Sequence, residues 1–394
     1  MTQDVQKLDR TYIAATYARF PVVLTHGKGS LVYDADGREY IDLSTGIAVN
    51  TFGFADEAWQ AAVTAQSGTL QHTSNLYYSG PCAELAAMLC EKTGMKKVFF
   101  SNSGAEANEC AIKAARKYAE EKKGREHYHI ITLQNSFHGR TITTLAATGQ
   151  DVFHHDFTPL TEGFHYAPAG DLAAIEQLID TYPTAAVMIE VVQGEGGVLP
   201  LDKDYVTALA DLLSAHDVLL ICDEVQIGNG RSGSLYGYME YGIRPDIFTT
   251  AKGLGGGLPI GATVFGEKTA DVLTAGTHGS TFGGNPVCCA GALSILSRLD
   301  DAMLAGVRER SAYIVQELAG APGIRSVTGL GLMLGIDPVR PAADVIRGCR
   351  ERGVLVIGAK QKVRLLPALN IPLPLLARAV QVIKDVCADG QEGL

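Results

Sequence analysis

The sequence predicts an α/β fold built on a mostly parallel sheet, with a smaller α+β unit at its C-terminal end. Three observations carry that expectation. Short apolar runs recur through the middle of the chain, helical patterns lie between several of them, and glycines gather where the runs end. There are 44 glycines in 394 residues, well above the usual share of about 7%.

The elements follow in order. Residues 31–43 (LVYDADGREYIDL) alternate apolar and polar around Asp36-Gly37, which predicts a hairpin. The runs 97–100, 129–133, 185–189, 218–222 and 247–250 are apolar enough to be covered on both faces, as parallel strands are. Residues 106–121 and 205–216 have helical periodicity between them. From residue 286 one long helix is expected to run past Leu299, followed by strands at 324–327, 332–336, 354–357 and 363–366. The expected units are an N-terminal segment, 1–51, packed with the small domain; a large domain, 52–285; and a small C-terminal domain, 286–394.

Composition removes several function classes. Apolar residues make up 46% of the chain, ample for a sizeable core. Thirty-three Lys and Arg face 43 Asp and Glu, a net charge of −10 and the wrong sign for tracking a nucleic-acid backbone. No apolar stretch approaches the roughly 20 residues that span a bilayer, and MTQDVQKLDR lacks a signal peptide's apolar block. A cytoplasmic protein without membrane or nucleic-acid partners is expected. The eight cysteines form no C-x-x-C pair. His127 with His129, and His154 with His155, have no partners at ligand spacing, so no metal is expected.

In an open α/β sheet, ligands bind where the strands' carboxyl ends emerge. After 97–100 come Ser103-Gly104-Ala105-Glu106, with capping-box spacing. A helix N-terminus there serves equally as a plain cap or as an anion site. After 129–133 come Phe137 and Arg140, able to stack on a ring and hold a carboxylate, or to be a core plug beside a surface arginine. Asp223 ends the run 218–222, where an acid is costly unless something cationic meets it; a buried ion pair or a helix cap is the plainer explanation. Lys252 ends 247–250 ahead of a glycine-rich loop, a place where a lysine loses water and can form a Schiff base.

Each feature has a bland explanation, but their joint occurrence at four strand ends matches what pyridoxal 5'-phosphate needs. Its phosphate takes N–H donors, its pyridine nitrogen an anion, and its aldehyde a lysine amine. The chain resembles the class III, fold type I pyridoxal-phosphate aminotransferases, and among them most the branch that acts on N2-acetylornithine. The matching stretches are GIAVN at 46–50, HTSN at 72–75, NSGAEAN at 102–108, FHGR at 137–140, QGEGG at 193–197, DEVQIGNGRSG at 223–233, AKGLGGG at 251–257 and HGSTFGGNP at 278–286.

The resemblance implies Lys252 as the internal aldimine lysine and proton carrier, and Asp223 as the partner of the pyridine nitrogen. It implies Gln226 near the ring hydroxyl, Phe137 and Val225 on the two ring faces, and Ser103, Gly104 and Ala105 at the phosphate. Thr281 is expected to reach the phosphate from a partner subunit, which makes a homodimer with shared active sites. Arg140, with Ser280 beside it, is expected to take a substrate carboxylate. Glu195 is expected to pair with Arg364 and release it to a dicarboxylate. Ornithine-specific members carry a tyrosine where this chain has Gly46. Three positions depart from the family pattern: Ala105 stands for a threonine, 53–58 (GFADEA) for Gly-His-x-His-Pro, and Val191 for a proline.

The implied reaction is transfer of the terminal amine of N2-acetylornithine to 2-oxoglutarate, giving N-acetylglutamate 5-semialdehyde and glutamate, a step of arginine biosynthesis. Succinylornithine, N-succinyl-diaminopimelate, ornithine or 4-aminobutyrate as donor are alternatives within the same chemistry. An aminomutase, which keeps the amine on one molecule, is the alternative outside it.

Overall fold

A computed structural model describes residues 2–389. Its central sheet has seven strands: β1 (Lys97–Ser101), β2 (His129–Leu133), β3 (Phe164–Ala167), β4 (Thr184–Ile189), β5 (Leu219–Asp223), β6 (Ile247–Thr250) and β7 (Gly261–Phe265). They lie in the order β1-β7-β6-β5-β4-β2-β3. β7 pairs antiparallel with both of its neighbours, and the other pairings are parallel. Every residue of β4, β5 and β6 is buried, which accounts for their lack of a polar face.

β3 and β7 are absent from the sequence expectation. Phe164–Ala167 is a sheet-edge strand of mixed polarity, and Gly261–Phe265 follows so closely on the glycine-rich loop that it reads as loop.

The helix Gly104–Lys123 covers the sheet through Ala107, Ala111, Ala114, Ala115 and Tyr118, whose spacing forms one stripe and whose small side chains permit close approach. Lys203–Ala215 buries Val206, Leu209 and Leu213, and starts where the Asp202 carboxylate accepts from Tyr205 N at 2.9 Å.

The single long helix expected from 286 is in fact two, Pro286–Leu296 and Asp301–Leu318. The apolar periodicity runs through the break, but Asp300 accepts from Met303 N at 2.8 Å and caps a new start. The run 354–357 also divides. Val354–Leu355 pairs in parallel with Glu39–Asp42, the second arm of the N-terminal hairpin, while Ile357–Ala359 pairs antiparallel with Lys362–Leu365. Lys362–Leu365 lies in a four-stranded sheet with Ile324–Leu330, Met333–Pro338 and Ile357–Ala359. Residues 1 and 390–394 of the expected outer units lie outside the described residues.

The 53–58 segment has its own anchors. Phe54 bridges to Gly29, and a Cβ on Gly53 (φ +83°) would lie 2.3 Å from the Gly29 carbonyl oxygen. Asp56 caps Glu57–Ser67 and takes two hydrogen bonds from Arg298, at 2.7 and 3.0 Å. Among the described residues, no helix is long and apolar enough to cross a membrane.

Candidate active site

The carboxyl ends of β1, β2, β4, β5 and β6 open into a cavity of about 620 Å³. At one end lies the start of Gly104–Lys123. Ser103 Oγ accepts from Glu106 N at 3.1 Å, while the Glu106 carboxylate turns back to Asn102 N at 2.5 Å instead of closing a box on Ser103 itself. Among the described residues no acceptor meets the N–H of Gly104 or Ala105, so two donors and a helix dipole face the cavity. A side chain at Gly104 would strike Val225 Cγ1 at 2.6 Å.

Asp223 ends β5 with its carboxylate buried. Asn108 Nδ2 donates to its Oδ2 at 2.8 Å, His138 Nδ1 meets the same oxygen at 2.8 Å, and Val225 N donates to Oδ1 at 3.0 Å. A carboxylate oxygen only accepts, so the His138 proton sits on Nδ1. Asn108 is oriented in turn by Thr249, whose hydroxyl donates to its Oδ1 at 2.6 Å.

Phe137 and Val225 both line the cavity. Phe137 N donates to Glu190 Oε2 at 2.9 Å, and Gly194 N to Glu190 Oε1 at 3.2 Å, so one carboxylate joins the loops that carry Phe137 and Glu195. Burial pushes the Glu190 carboxyl up to about 7, opposed by His138 and reinforced by the charge of Asp223. Arg140 is exposed, lies 4.3 Å from the Phe153 ring centre, and has no carboxylate partner among the described residues.

Lys252 follows β6 with φ +45°, and its amine has no hydrogen-bond partner among the described residues. Loss of water holds that amine below the usual lysine value; Glu195 opposes the shift and Arg364 adds to it. Arg364 comes from the C-terminal sheet. Its Nη1 donates to Glu195 Oε1 at 2.7 Å and to Gln226 Oε1 at 2.9 Å. Burial raises the Glu195 carboxyl, but the charge and hydrogen bonds of Arg364 outweigh it and leave the group below its usual value. Gln226 is thus engaged by Arg364 while it lines the cavity.

Glu195 and Arg364 meet the cavity through Gln226, and Ser280, Thr281 and Gly46 do not line it in this chain. Ser280 Oγ accepts from Asn102 Nδ2 at 3.2 Å and from Gly283 N at 2.9 Å. Thr281 lines a separate cavity of about 240 Å³ with His72, Tyr77 and Tyr78. Gly46 (φ +64°) sits in a left-handed turn whose later residue, Val49, is the one that lines the large cavity.

Sequence reasoning assigned no role to Asn108, His138, Glu190 or Tyr17, all of which line the site. The first two stood inside the quoted stretches NSGAEAN and FHGR, and Glu190 immediately follows a strand. Tyr17 gave no local signal.

The residues present fit pyridoxal phosphate: free N–H donors for a phosphate, a donor-held carboxylate for a ring nitrogen, and an unpartnered, desolvated lysine for an aldehyde. A mostly parallel sheet with these groups at its carboxyl edge defines a fold type I pyridoxal-phosphate enzyme. The chain belongs to the class-III aminotransferases, whose family model matches residues 12–387. It is 49% identical to the acetylornithine aminotransferase of Haemophilus ducreyi, covering 99% of this chain and 100% of that one. It is 42% identical to the succinylornithine transaminase of Yersinia pseudotuberculosis, covering 95% of each. A solved ornithine aminotransferase of Toxoplasma gondii, with pyridoxal phosphate at partial occupancy in its active site, superposes with a TM-score of 0.94 at 32% identity, covering 100% of this chain and 96% of that one.

Proposed function

We propose that the chain transfers the terminal amine of N2-acetylornithine to 2-oxoglutarate, giving N-acetylglutamate 5-semialdehyde and glutamate, within cytoplasmic arginine biosynthesis. The observation that carries the donor is the 49% identity, end to end, with an acetylornithine aminotransferase.

Pyridoxal phosphate, when bound, would supply the electron sink and the aldehyde that amine transfer needs. The chain's own residues do the rest. Gly104 and Ala105 N–H groups, with Ser103 at the cap, hold the phosphate. Asp223 would hold a protonated ring nitrogen, and its carboxylate is itself oriented by Asn108, His138 and Val225 N. Phe137 and Val225 would confine the ring, and Gln226 would stand near its hydroxyl. Lys252 would be the point of covalent attachment, and its free amine would hold and move protons; burial favours the neutral form that this needs. Arg140 takes the carboxylate of either substrate. Glu195 occupies Arg364 while the acyl donor is bound and gives it up to the second carboxylate of 2-oxoglutarate.

The working form in this reading is a homodimer. Thr281 and Ser280 lie beside an exposed apolar patch, with Leu76 83%, Tyr77 74% and Phe282 59% accessible. A second copy covers that patch and receives Thr281 at its phosphate and Ser280 beside its Arg140.

The 42% identity to a succinylornithine transaminase favours succinylornithine as the second reading. A donor panel with 2-oxoglutarate as acceptor tests both. Acetylornithine is expected to lead in kcat/KM; a lead for succinylornithine replaces the donor, and turnover without any 2-oxo acid overturns the transaminase reading in favour of an aminomutase.

A further inference from the structure

The backbone of Lys252 is gripped from both sides by buried side chains that do not themselves line the cavity. The preceding carbonyl, Ala251 O, accepts from Asn229 Nδ2 at 3.1 Å, and the following carbonyl, Gly253 O, accepts from Thr51 Oγ1 at 2.7 Å. Lys252 itself has φ +45°, in the left-handed region that residues with a Cβ avoid unless neighbours impose it. A Cβ added to Gly253 would lie 2.9 Å from Thr51 Oγ1 and 3.3 Å from Asn229 Cβ, so the chain after the lysine is wedged between the same two residues.

Each residue type suits the task. Asn229 also has a left-handed φ, +57°, which asparagine tolerates better than most. Its amide directs both N–H protons inward, the second to Thr250 Oγ1 at 2.9 Å, and leaves Oδ1 buried without a partner among the described residues. A buried unmet acceptor is costly, and the donation to the backbone before Lys252 is what the amide provides in return. Thr51 is 2% exposed, and its own carbonyl accepts from Leu369 N at 2.9 Å, so its hydroxyl works from a fixed point.

The geometry points to Thr51 and Asn229 as a pair of positioning residues that hold the Lys252 backbone in its left-handed conformation and so aim the amine into the cavity. This rests on the reading of Lys252 as the lysine that bonds to pyridoxal phosphate. Neither residue contacts the reacting groups; both act through the main chain.

The test uses cofactor-free wild type, Thr51→Val, Thr51→Ser and Asn229→Gly. Glycine keeps the left-handed backbone at 229 while removing the amide. Each protein is mixed with pyridoxal phosphate, covalent capture is followed by absorbance, and the linked lysine is fixed with borohydride and mapped. Amide hydrogen exchange across residues 250–256 is measured before cofactor is added. Thr51→Val and Asn229→Gly are expected to slow capture at Lys252 at least tenfold and to speed exchange in 250–256 at least tenfold, with exchange elsewhere unchanged. Thr51→Ser should stay within about threefold of wild type in both. Capture at the wild-type rate in the two disruptive variants, whatever their stability, overturns the clamp and leaves Lys252 in place. Capture by a different lysine in wild type overturns the Lys252 reading itself. Should Thr51→Val fail to fold, Asn229→Gly decides the matter alone.

Discussion

Arg364 Nη1 lies 2.7 Å from Glu195 Oε1, joining a strand of the C-terminal sheet to the loop after β4 beside Lys252. The guanidinium is 3% exposed, so its charge is answered by protein or by ligand rather than by water.

That pairing predicts a division of labour. Arg364→Ala leaves any second substrate carboxylate unmatched in a closed site, a loss of about 2–5 kcal/mol. The cost is expected on the 2-oxoglutarate and glutamate half-reaction, with the acyl-donor half much less affected. Single-turnover kinetics of each half separates them, and equal losses would contradict the exchange of partners.

Asp223→Asn is predicted to keep the fold and lose at least about a hundredfold in kcat, the scale on which a preorganised charge acts in a closed site. The amide removes the anion, and with its oxygen kept on Asn108 and His138 its NH2 is turned against the Val225 N–H, a donor that needs an acceptor. Circular dichroism checks the fold and steady-state assay the rate. A drop below tenfold would assign the anion's part to another acid, of which Glu190 is the buried candidate in the same cavity.

Lys252→Ala is predicted to abolish multiple turnover, because no other lysine lines the cavity among the described residues. The wild type should purify yellow and the variant should form no covalent link with added pyridoxal phosphate at that position. Sustained turnover in the variant would remove Lys252 from the mechanism.

A fourth prediction concerns pH and the edge of the central sheet. His165 Nε2 lies 2.9 Å from His129 Nδ1, so one ring donates to the other and the pair cannot both be protonated without conflict. Burial lowers both imidazoles; nearby Arg116 adds to the shift at His129, and His129 adds to it at His165. The unfolded chain, with histidines near about 6.5, therefore binds more protons than the folded one as pH falls through that range. Stability from the neutral pair is present above about 6.5 and is lost below it as pH falls toward the lowered folded values. Melting temperature should drop between pH 7.5 and 5.5 more steeply in wild type than in His165→Gln. Parallel slopes would clear the pair of any part in it.

The strand ends could be read from sequence because a parallel sheet buried on both faces leaves almost no charged residue inside its strands. Asp223 and Lys252 therefore stand out where the apolar runs stop. Residues that act through others left no such mark. Thr249 is one more polar residue in a short strand until its hydroxyl is seen on Asn108, and Thr51 and Asn229 sit 201 and 23 residues from Lys252 in the sequence. The break at 297–300 was hidden for a different reason: apolar periodicity records which face is covered and says little about whether the backbone is continuous beneath it. Only Asp300, a cap residue inside a seemingly continuous pattern, marked the new start.

The last prediction is about the donor. Val49 lines the active cavity, and the turn that delivers it passes through Gly46, where φ is +64° and a Cβ would have only Asn50 Nδ2 at 3.5 Å and Val49 Cβ at 3.8 Å nearby. Glycine offers no hydroxyl to a free α-ammonium there. An ornithine ammonium entering the cavity loses hydration and gains no partner from Gly46 in exchange, a cost that the neutral acetamide avoids. Acetylornithine is therefore expected to exceed ornithine in kcat/KM by at least about tenfold, equal to roughly 1.4 kcal/mol. Gly46→Tyr places a bulky residue in a left-handed conformation, so total activity should fall for reasons of strain. The informative quantity is the ratio of the two donors, which should narrow as a phenol both meets the ammonium and fills space an acyl group would use. Parity between the donors in wild type would overturn acetylornithine as the substrate and leave the aminotransferase chemistry untouched.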